Sequence, residues 1–339
     1  MAKDTSDFFM PEEGSPHERT WMAFGADADI WGRRLLPEVR RNLAALARII
    51  GQYEPVSMLV REDEYDIARD MVGNGVELVV SPLDDIWIRD TGSVFVIGGD
   101  GKKAAVDFHF NGWGEKQKHQ NDARVARLVA SRAGVEVIDA GIVMEGGSIE
   151  VDGAGTAIIT ESSVINDNRN PCLTKAGCED ILMPLLGLEK IIWLPGVRGM
   201  DITDGHVDFY ARFARPGVVL AALDPDPHSF DHDVTKRHLE ILTSETDARG
   251  ESLEVIPIEG PGTTRRTYRT KDFAAGYLGF YLVNNAVIMQ EYGDAPADNA
   301  ARSAIQKCFP ERTVEAINLD GIAAGGGTIH CVTQQEPAV

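Results

Sequence analysis

Four strand–turn–strand patterns recur along this chain at intervals of roughly 55–70 residues, and helical apolar spacing fills the gaps between them. The hairpins read as Ser93–Phe110 around Gly98-Gly99-Asp100-Gly101, Ser148–Thr160 around Asp152-Gly153-Ala154-Gly155, Val207–Leu223 around Arg215-Pro216-Gly217, and Tyr277–Glu291 around Asn284-Asn285. The helices are expected over Leu36–Ile50, Glu62–Val72, Asp122–Ala133, Cys178–Leu186, His232–Thr246 and Ala297–Cys308. Thr20–Gly25 and Thr328–Gln334 are left to share a fifth unit made from both ends of the chain. Spacing alone suits a ring of five such units and a two-domain α/β protein equally.

Near the C-terminus, Ala324-Gly325-Gly326-Gly327-Thr328-Ile329-His330-Cys331 carries a Gly-rich loop into what reads as a short alternating strand. Three glycines let the backbone approach a ligand closely, and a period of two places Cys331 with Ile329 and Thr333 while His330 points the other way. A lone cysteine in a strand is most often a small buried hydrophobe. A thiolate nucleophile needs a proton-handling partner, and Thr203-Asp204-Gly205-His206-Val207-Asp208 offers one. On extended backbone His206 and Asp208 would project from one side, about 6–7 Å apart. A surface histidine or half of a metal site would look the same in isolation.

Two further acidic clusters stand out. Asp84-Asp85-Ile86-Trp87-Ile88-Arg89-Asp90-Thr91-Gly92 sets carboxylates and an indole inside an apolar stretch, and Met144-Glu145-Gly146-Gly147-Ser148 sets a carboxylate before two glycines. Taken singly, each also reads as a turn bearing a solvated acid. Asp224-Pro225-Asp226-Pro227-His228-Ser229-Phe230-Asp231-His232-Asp233 is dense in potential metal ligands, but a solvated loop leading into a helix, with Asp231 or a neighbour as N-cap, is the plainer account. Glu259-Gly260-Pro261-Gly262-Thr263-Thr264 is the best candidate for a mobile loop near a substrate entrance.

Thirty-three basic residues against 53 acidic ones leave a formal net charge of −20. That balance argues against nucleic acid or an anionic membrane surface as partner and favours encounter with a small cation. Cys172, Cys178, Cys308 and Cys331 show no zinc-type pairing, Met1-Ala2-Lys3-Asp4 opens without an apolar signal core, and no run of about 18 apolar residues occurs. The expectation is a reduced, cytoplasmic protein.

Together these segments resemble the agmatine deiminase and bacterial-type peptidylarginine deiminase family of the guanidine-modifying (pentein) superfamily. The resemblance runs through Met10-Pro11-Glu12, His17-Glu18-Arg19-Thr20-Trp21, Trp87-Ile88-Arg89-Asp90-Thr91-Gly92, Phe110-Asn111-Gly112-Trp113-Gly114, Glu145-Gly146-Gly147-Ser148 and Asn168-Arg169-Asn170-Pro171. It continues at Asp204-Gly205-His206-Val207-Asp208 and Tyr292-Gly293-Asp294, and ends at Gly325–Pro337. It implies one domain over residues 1–339, a five-bladed pseudo-symmetric α/β propeller with the site at its axis, and a homo-oligomer. It also implies Cys331 as nucleophile, His206 as general acid then base, Glu145 as the carboxylate orienting that histidine, and Asp90 and Asp208 as the guanidinium-binding pair. Trp87, Asp84, Trp113 and Gly326 would line the substrate. The reaction implied is hydrolysis of a guanidino C–N bond through a thiouronium on Cys331, with no metal and no organic cofactor.

Three departures bear on the substrate. Where agmatine deiminases usually carry an acidic residue four positions before the catalytic histidine, this chain has Ile202, and the residue after the second carboxylate, typically Asn, is Phe209. The stretch Arg266–Tyr277 is also shortened and more basic. Agmatine is the leading expected substrate, with an arginine derivative, peptidylarginine or a guanidino acid as the close alternative. Amidino transfer, a metallohydrolase built on His206, Asp208 and the Asp224–Asp233 cluster, and a non-catalytic binding protein are more distant.

Overall fold

All four expected hairpins form, and each is extended by a helical crossover to a third strand that runs parallel to its second arm. Val94–Gly98 pairs antiparallel with Lys103–Asp107, which pairs parallel with Glu136–Asp139. The same order recurs in Ile149–Val151, Thr156–Thr160 and Lys190–Leu194, in Ala211–Arg215, Val218–Leu223 and Glu254–Glu259, and in Tyr281–Val283, Ala286–Gln290 and Thr313–Ile317. First arms begin at residues 94, 149, 211 and 281, so successive units start 55, 62 and 70 residues apart. The two-residue turn Asn284-Asn285 places Asn285 at φ +66°, which an asparagine tolerates far better than a branched residue. This is a computed structural model, and it describes residues 8–339; the Met1–Asp4 opening lies outside them.

The fifth unit is closed by both chain ends. Gln334–Pro337 pairs antiparallel with His17–Phe24, with Gln334 opposite Trp21, and Val56–Val60 and Val76–Val80 follow in parallel. The C-terminal strand therefore stands where the other units have their first arm, and the described residues form five sheets in an α/β arrangement. One expectation is corrected here. The strand does not span Thr328–Gln334: it begins at Gln334, and His330–Val332 winds into a 3-10 turn.

The six expected helices are present. The longest runs Ala28–Ile50 rather than from Leu36, capped by Asp27, whose side chain accepts from Asp29 N, and broken at Gly32, which sits at φ +68°. Gly32 and Pro37 interrupt the helical pattern in sequence, and the extra turn they conceal carries Trp31. Helices cover the sheets through apolar stripes: Leu43, Leu46 and Ile50 pack with Met22, Phe24 and Met58, all fully buried. Elsewhere Thr174 caps Lys175–Leu186 and Gly187 ends it in left-handed conformation. Among the described residues no helix is long and apolar enough to cross a membrane.

Candidate active site

Just before its first strand, each of four units makes one short helical turn. These turns are Ile88–Thr91, Gly146–Ser148, Val207–Phe209 and His330–Val332, and the strands they feed begin at Val94, Ile149, Ala211 and Gln334. Asp90 lies in the first turn, Glu145 opens the second, His206 opens the third with Asp208 inside it, and Cys331 lies in the fourth. The repeat thus delivers one or two reactive side chains per unit to a common centre.

There the five meet in buried surroundings. Cys331 Sγ lies 3.9 Å from Asp208 Oδ2 and 3.7 Å from Thr328 Oγ1. His206 Nε2 is 3.3 Å from Glu145 Oε2, and its Nδ1 is 3.7 Å from Asp90 Oδ1. Asp90 accepts from Gly147 N at 3.1 Å and from Trp113 Nε1 at 2.9 Å, which fixes both its oxygens. Gly147 forms the floor: a Cβ there would lie 2.5 Å from His206 Nδ1, 3.0 Å from Asp90 Oδ1 and 3.1 Å from Asp208 Oδ2. Asp208 Oδ1 is buried with no hydrogen-bond partner. A buried carboxylate oxygen left unpaired is unfavourable unless a donor joins it.

The charges set the proton inventory. Burial would lower the His206 pKa, but Asp90, Glu145 and Asp208 together hold it up at about 9, so the imidazole is protonated at neutral pH. Burial, then Asp208 and Asp90, push the Cys331 thiol well above its ordinary value. Burial raises Asp90. Asp208 goes down despite burial because His330 bonds to it, and Glu145 goes down despite burial because His206 and Arg169 do the same.

A cavity of about 410 Å³ opens onto Asp90 and Cys331. Trp87 and Trp31 stack along it, with ring centroids 5.7 Å apart. Gly325 and Gly327 let these indoles lie against the loop, since a Cβ at either would stand 2.2 Å and 2.1 Å from ring carbons of Trp31 and Trp87. Trp113 and Gly326 line the cavity as expected, and so do Ile202 and Phe209.

Four expectations need correction. Asp84 does not reach the cavity: its carboxylate is taken up by Asn121 N at 2.6 Å, Asn121 Nδ2 at 3.0 Å and Lys118 Nζ at 3.1 Å. Its neighbour Asp85 lines the wall instead, accepting from Trp31 Nε1 at 2.7 Å, and from Trp87 Nε1 and Gln117 Nε2, both at 2.9 Å. The extended run does not continue from His206 to Asp208: His206 is extended at φ −60°, ψ 145°, but the chain winds into the 3-10 turn Val207–Phe209 directly after it. Gly260, Pro261 and Gly262 border a different cavity, and the segment over this one is Thr267–Thr270 with Asp272. Finally, Asp231 occupies the N-cap position of His232–Ser244 without a side-chain cap, its Oδ1 accepting from Tyr210 Oη at 2.8 Å instead. Among the described residues no group of three or more His, Cys, Asp or Glu is placed to hold a metal.

The family model for Porphyromonas-type peptidyl-arginine deiminases matches residues 9–337. The chain belongs to that family. It is 41% identical to a relative from Streptomyces coelicolor, over 97% of this chain and 99% of that one. It is 37% identical to the agmatine deiminase of Ectopseudomonas mendocina, over 98% and 96%. The solved agmatine deiminase of Enterococcus faecalis superposes with a TM-score of 0.90 at 30% identity, covering 99% of this chain and 98% of that one.

Behind this family's cysteine lies a buried network that pattern reading did not assign. His330 spans Asp208 Oδ2, 2.7 Å from its Nδ1, and Glu13 Oε2, 2.8 Å from its Nε2. Glu13 pairs with Arg212 at 2.8 Å and Arg89 at 3.3 Å, and Arg212 also pairs with Glu150 at 2.9 Å. Arg169 donates to Glu145 at 2.8 Å and to Asp204 at 2.8 Å. The alternating-strand expectation pointed His330 away from the site, whereas the 3-10 turn brings it beneath Asp208. Arg169 stands in a motif noted from sequence but carried no assigned partner.

Proposed function

We propose that this protein is a cysteine-dependent deiminase that hydrolyses agmatine to N-carbamoylputrescine and ammonia. The observation that carries the reading is the buried Asp208, whose Oδ1 is unpaired and whose Oδ2 lies 3.9 Å from Cys331 Sγ, together with a fixed Asp90. That pair of acceptors suits a planar cation with several N–H donors, presented with its central carbon to the sulfur.

In this reading the thiol is kept protonated by burial and, after it, by Asp208 and Asp90, and the guanidinium neutralises those two charges and sets a cation beside the sulfur. Cys331 loses its S–H proton to solvent, and the thiolate sulfur then adds to the guanidino carbon. His206, held protonated by its carboxylates, gives its proton to the departing amino group, the C–N bond breaks, and ammonia leaves a thiouronium on Cys331. Neutral His206 next takes a proton from water, whose oxygen adds to the same carbon. The C–S bond breaks, the remaining hydroxyl proton passes to the leaving sulfur, and the ureido product departs with Cys331 restored as a thiol. Glu145, anchored by Arg169, orients His206 throughout.

The similarity to named agmatine deiminases supports agmatine as substrate. A second reading rests on Ile202 and Phe209, which give the cavity an apolar stretch, and on Arg34 and Arg269, which also line it. These features suit a guanidino compound with an apolar or carboxylate-bearing tail. Ammonia release with mass detection of the ureido product, over agmatine, arginine, guanidinobutanoate and a short arginine peptide, separates the two. Turnover of agmatine above the rest supports the first reading; turnover of another member replaces the substrate and keeps the mechanism; silence across the panel ends the deiminase reading. The net charge of −20 and the free cysteines support a single-domain cytoplasmic enzyme without a nucleic-acid partner, and a homo-oligomer is expected by family likeness.

A further inference from the structure

Nucleophile and acid–base histidine open onto different cavities. The 410 Å³ cavity reaches Cys331 and Asp90, whereas a second cavity, of about 510 Å³, reaches His206 and Gly205. Ile202, Phe209, Asp272, Gly325 and Gly326 border both, and so form the partition between them. The second cavity meets solvent beside Met200 and Phe230, both about half exposed at 50% and 47%. Four carboxylates line it, from Asp201, Asp224, Asp231 and Asp272, against the single lysine Lys271.

Chemistry makes this division useful. Once Cys331 holds the thiouronium, the alkyl tail is covalently tethered in the first cavity and fills the way in. Ammonia must nevertheless leave, and one water must arrive, both at the face of the carbon that His206 serves. A path that already touches His206 and carries negative charge suits a small neutral molecule coming in and an ammonium ion going out.

We propose that the second cavity is the route by which water reaches His206 and ammonia leaves, separate from the substrate entrance. This rests on the deiminase reading above, and wild-type turnover of agmatine tests that reading by itself. The route is tested by filling its walls at positions away from the reacting groups. Ser229→Trp and Ala274→Trp act from two different stretches of wall, and Thr267→Trp in the substrate cavity serves as comparison.

With water obstructed, the first half-reaction outruns the second. Both route variants are expected to lose roughly tenfold or more in kcat, with KM falling alongside it and kcat/KM nearly unchanged, because formation of the adduct is not slowed. Ammonia counted after acid quenching should show a burst of about one equivalent, and intact-mass analysis of the same quenched samples should find Cys331 carrying agmatine less ammonia. Thr267→Trp should instead raise KM without accumulating that adduct. Unchanged kcat in both folded route variants, or a loss of kcat with no burst and no adduct, would overturn the proposal while leaving the deiminase reading intact. Should one variant fail to fold, the other decides.

Discussion

Gly147→Ala is the smallest change that probes whether the site geometry described here is the working one. Gly147 has an ordinary φ, so alanine is not strained by the backbone. Its Cβ, however, would lie 2.5 Å from His206 Nδ1, where contact normally begins near 3.4 Å. The imidazole must therefore withdraw by roughly 0.9 Å. It cannot swing freely, because it is 1% exposed and its far nitrogen meets Glu145, which Arg169 holds in turn. A displacement near 1 Å at a reacting group lowers rate by about 10²-fold, equivalent to about 2.7 kcal/mol in the barrier.

The folding cost is of comparable size, about 1–3 kcal/mol for overpacking by one methyl, but in a chain of this size it lowers the melting temperature by only a few degrees and leaves the protein folded at assay temperature. The assay is steady-state ammonia release together with thermal unfolding, beside Gly75→Ala, whose added methyl meets nothing within 4 Å. Gly147→Ala should lose about two orders of magnitude in kcat/KM while Gly75→Ala stays within twofold. A Gly147→Ala enzyme within threefold of wild type would refute the placement of His206 above the Gly147 floor.

Cys331→Ala and Cys331→Ser should both abolish turnover with unfolding temperatures close to wild type, and full activity in either would remove Cys331 from the mechanism. At pH 8 iodoacetamide should modify exposed Cys172 roughly tenfold or more faster than Cys331, whose thiol is kept protonated by burial and two carboxylates; peptide mapping reads the order. His206 has its folded pKa raised from 6.5 to about 9, so its contribution to stability is fully present below about 6.5 and is lost as pH rises through 9. kcat/KM should fall over the same upper limb, as the acid that protonates ammonia disappears, and a limb centred near 6.5 would contradict the assigned carboxylate cage. Ile202→Glu should shift preference toward agmatine over guanidinobutane by roughly threefold to fivefold, the scale of a partly exposed ion pair, and no shift would place the distal amine elsewhere.

Much of this architecture was legible because hairpin turns and helix spacing are local signals. Asn284-Asn285, Asp100-Gly101 and Arg215-Pro216-Gly217 mark their turns whatever lies around them, and the five reactive residues fell within recognisable segments. The failures have a common physical origin. Period-two alternation was read through Thr328–Gln334 and through His206-Val207-Asp208, yet both become 3-10 turns, whose geometry depends on packing against the other units. Asp84 and Asp85 are chemically identical in sequence, and only the fold decides that one is consumed by Asn121 while the other holds two indoles. Glu13 and Arg212 lie 199 positions apart, so no local pattern links them.

The same turns explain why the reactive thiol is guarded. Because four units each present a turn to one centre, carboxylates arrive from separate units and no single loop can relax them apart. Burial first, and then Asp208 and Asp90, hold the resting thiol in its unreactive form, and the two carboxylates are the groups that would grip a guanidinium. A neutral ligand leaves that field in place, and an anion adds to it; a cation bearing N–H donors relieves it at the position where attack must occur. Selection of the substrate head and activation of the nucleophile are thereby one electrostatic event, and discrimination among tails is left to Ile202, Phe209 and the Trp31–Trp87 wall, which touch neither charge.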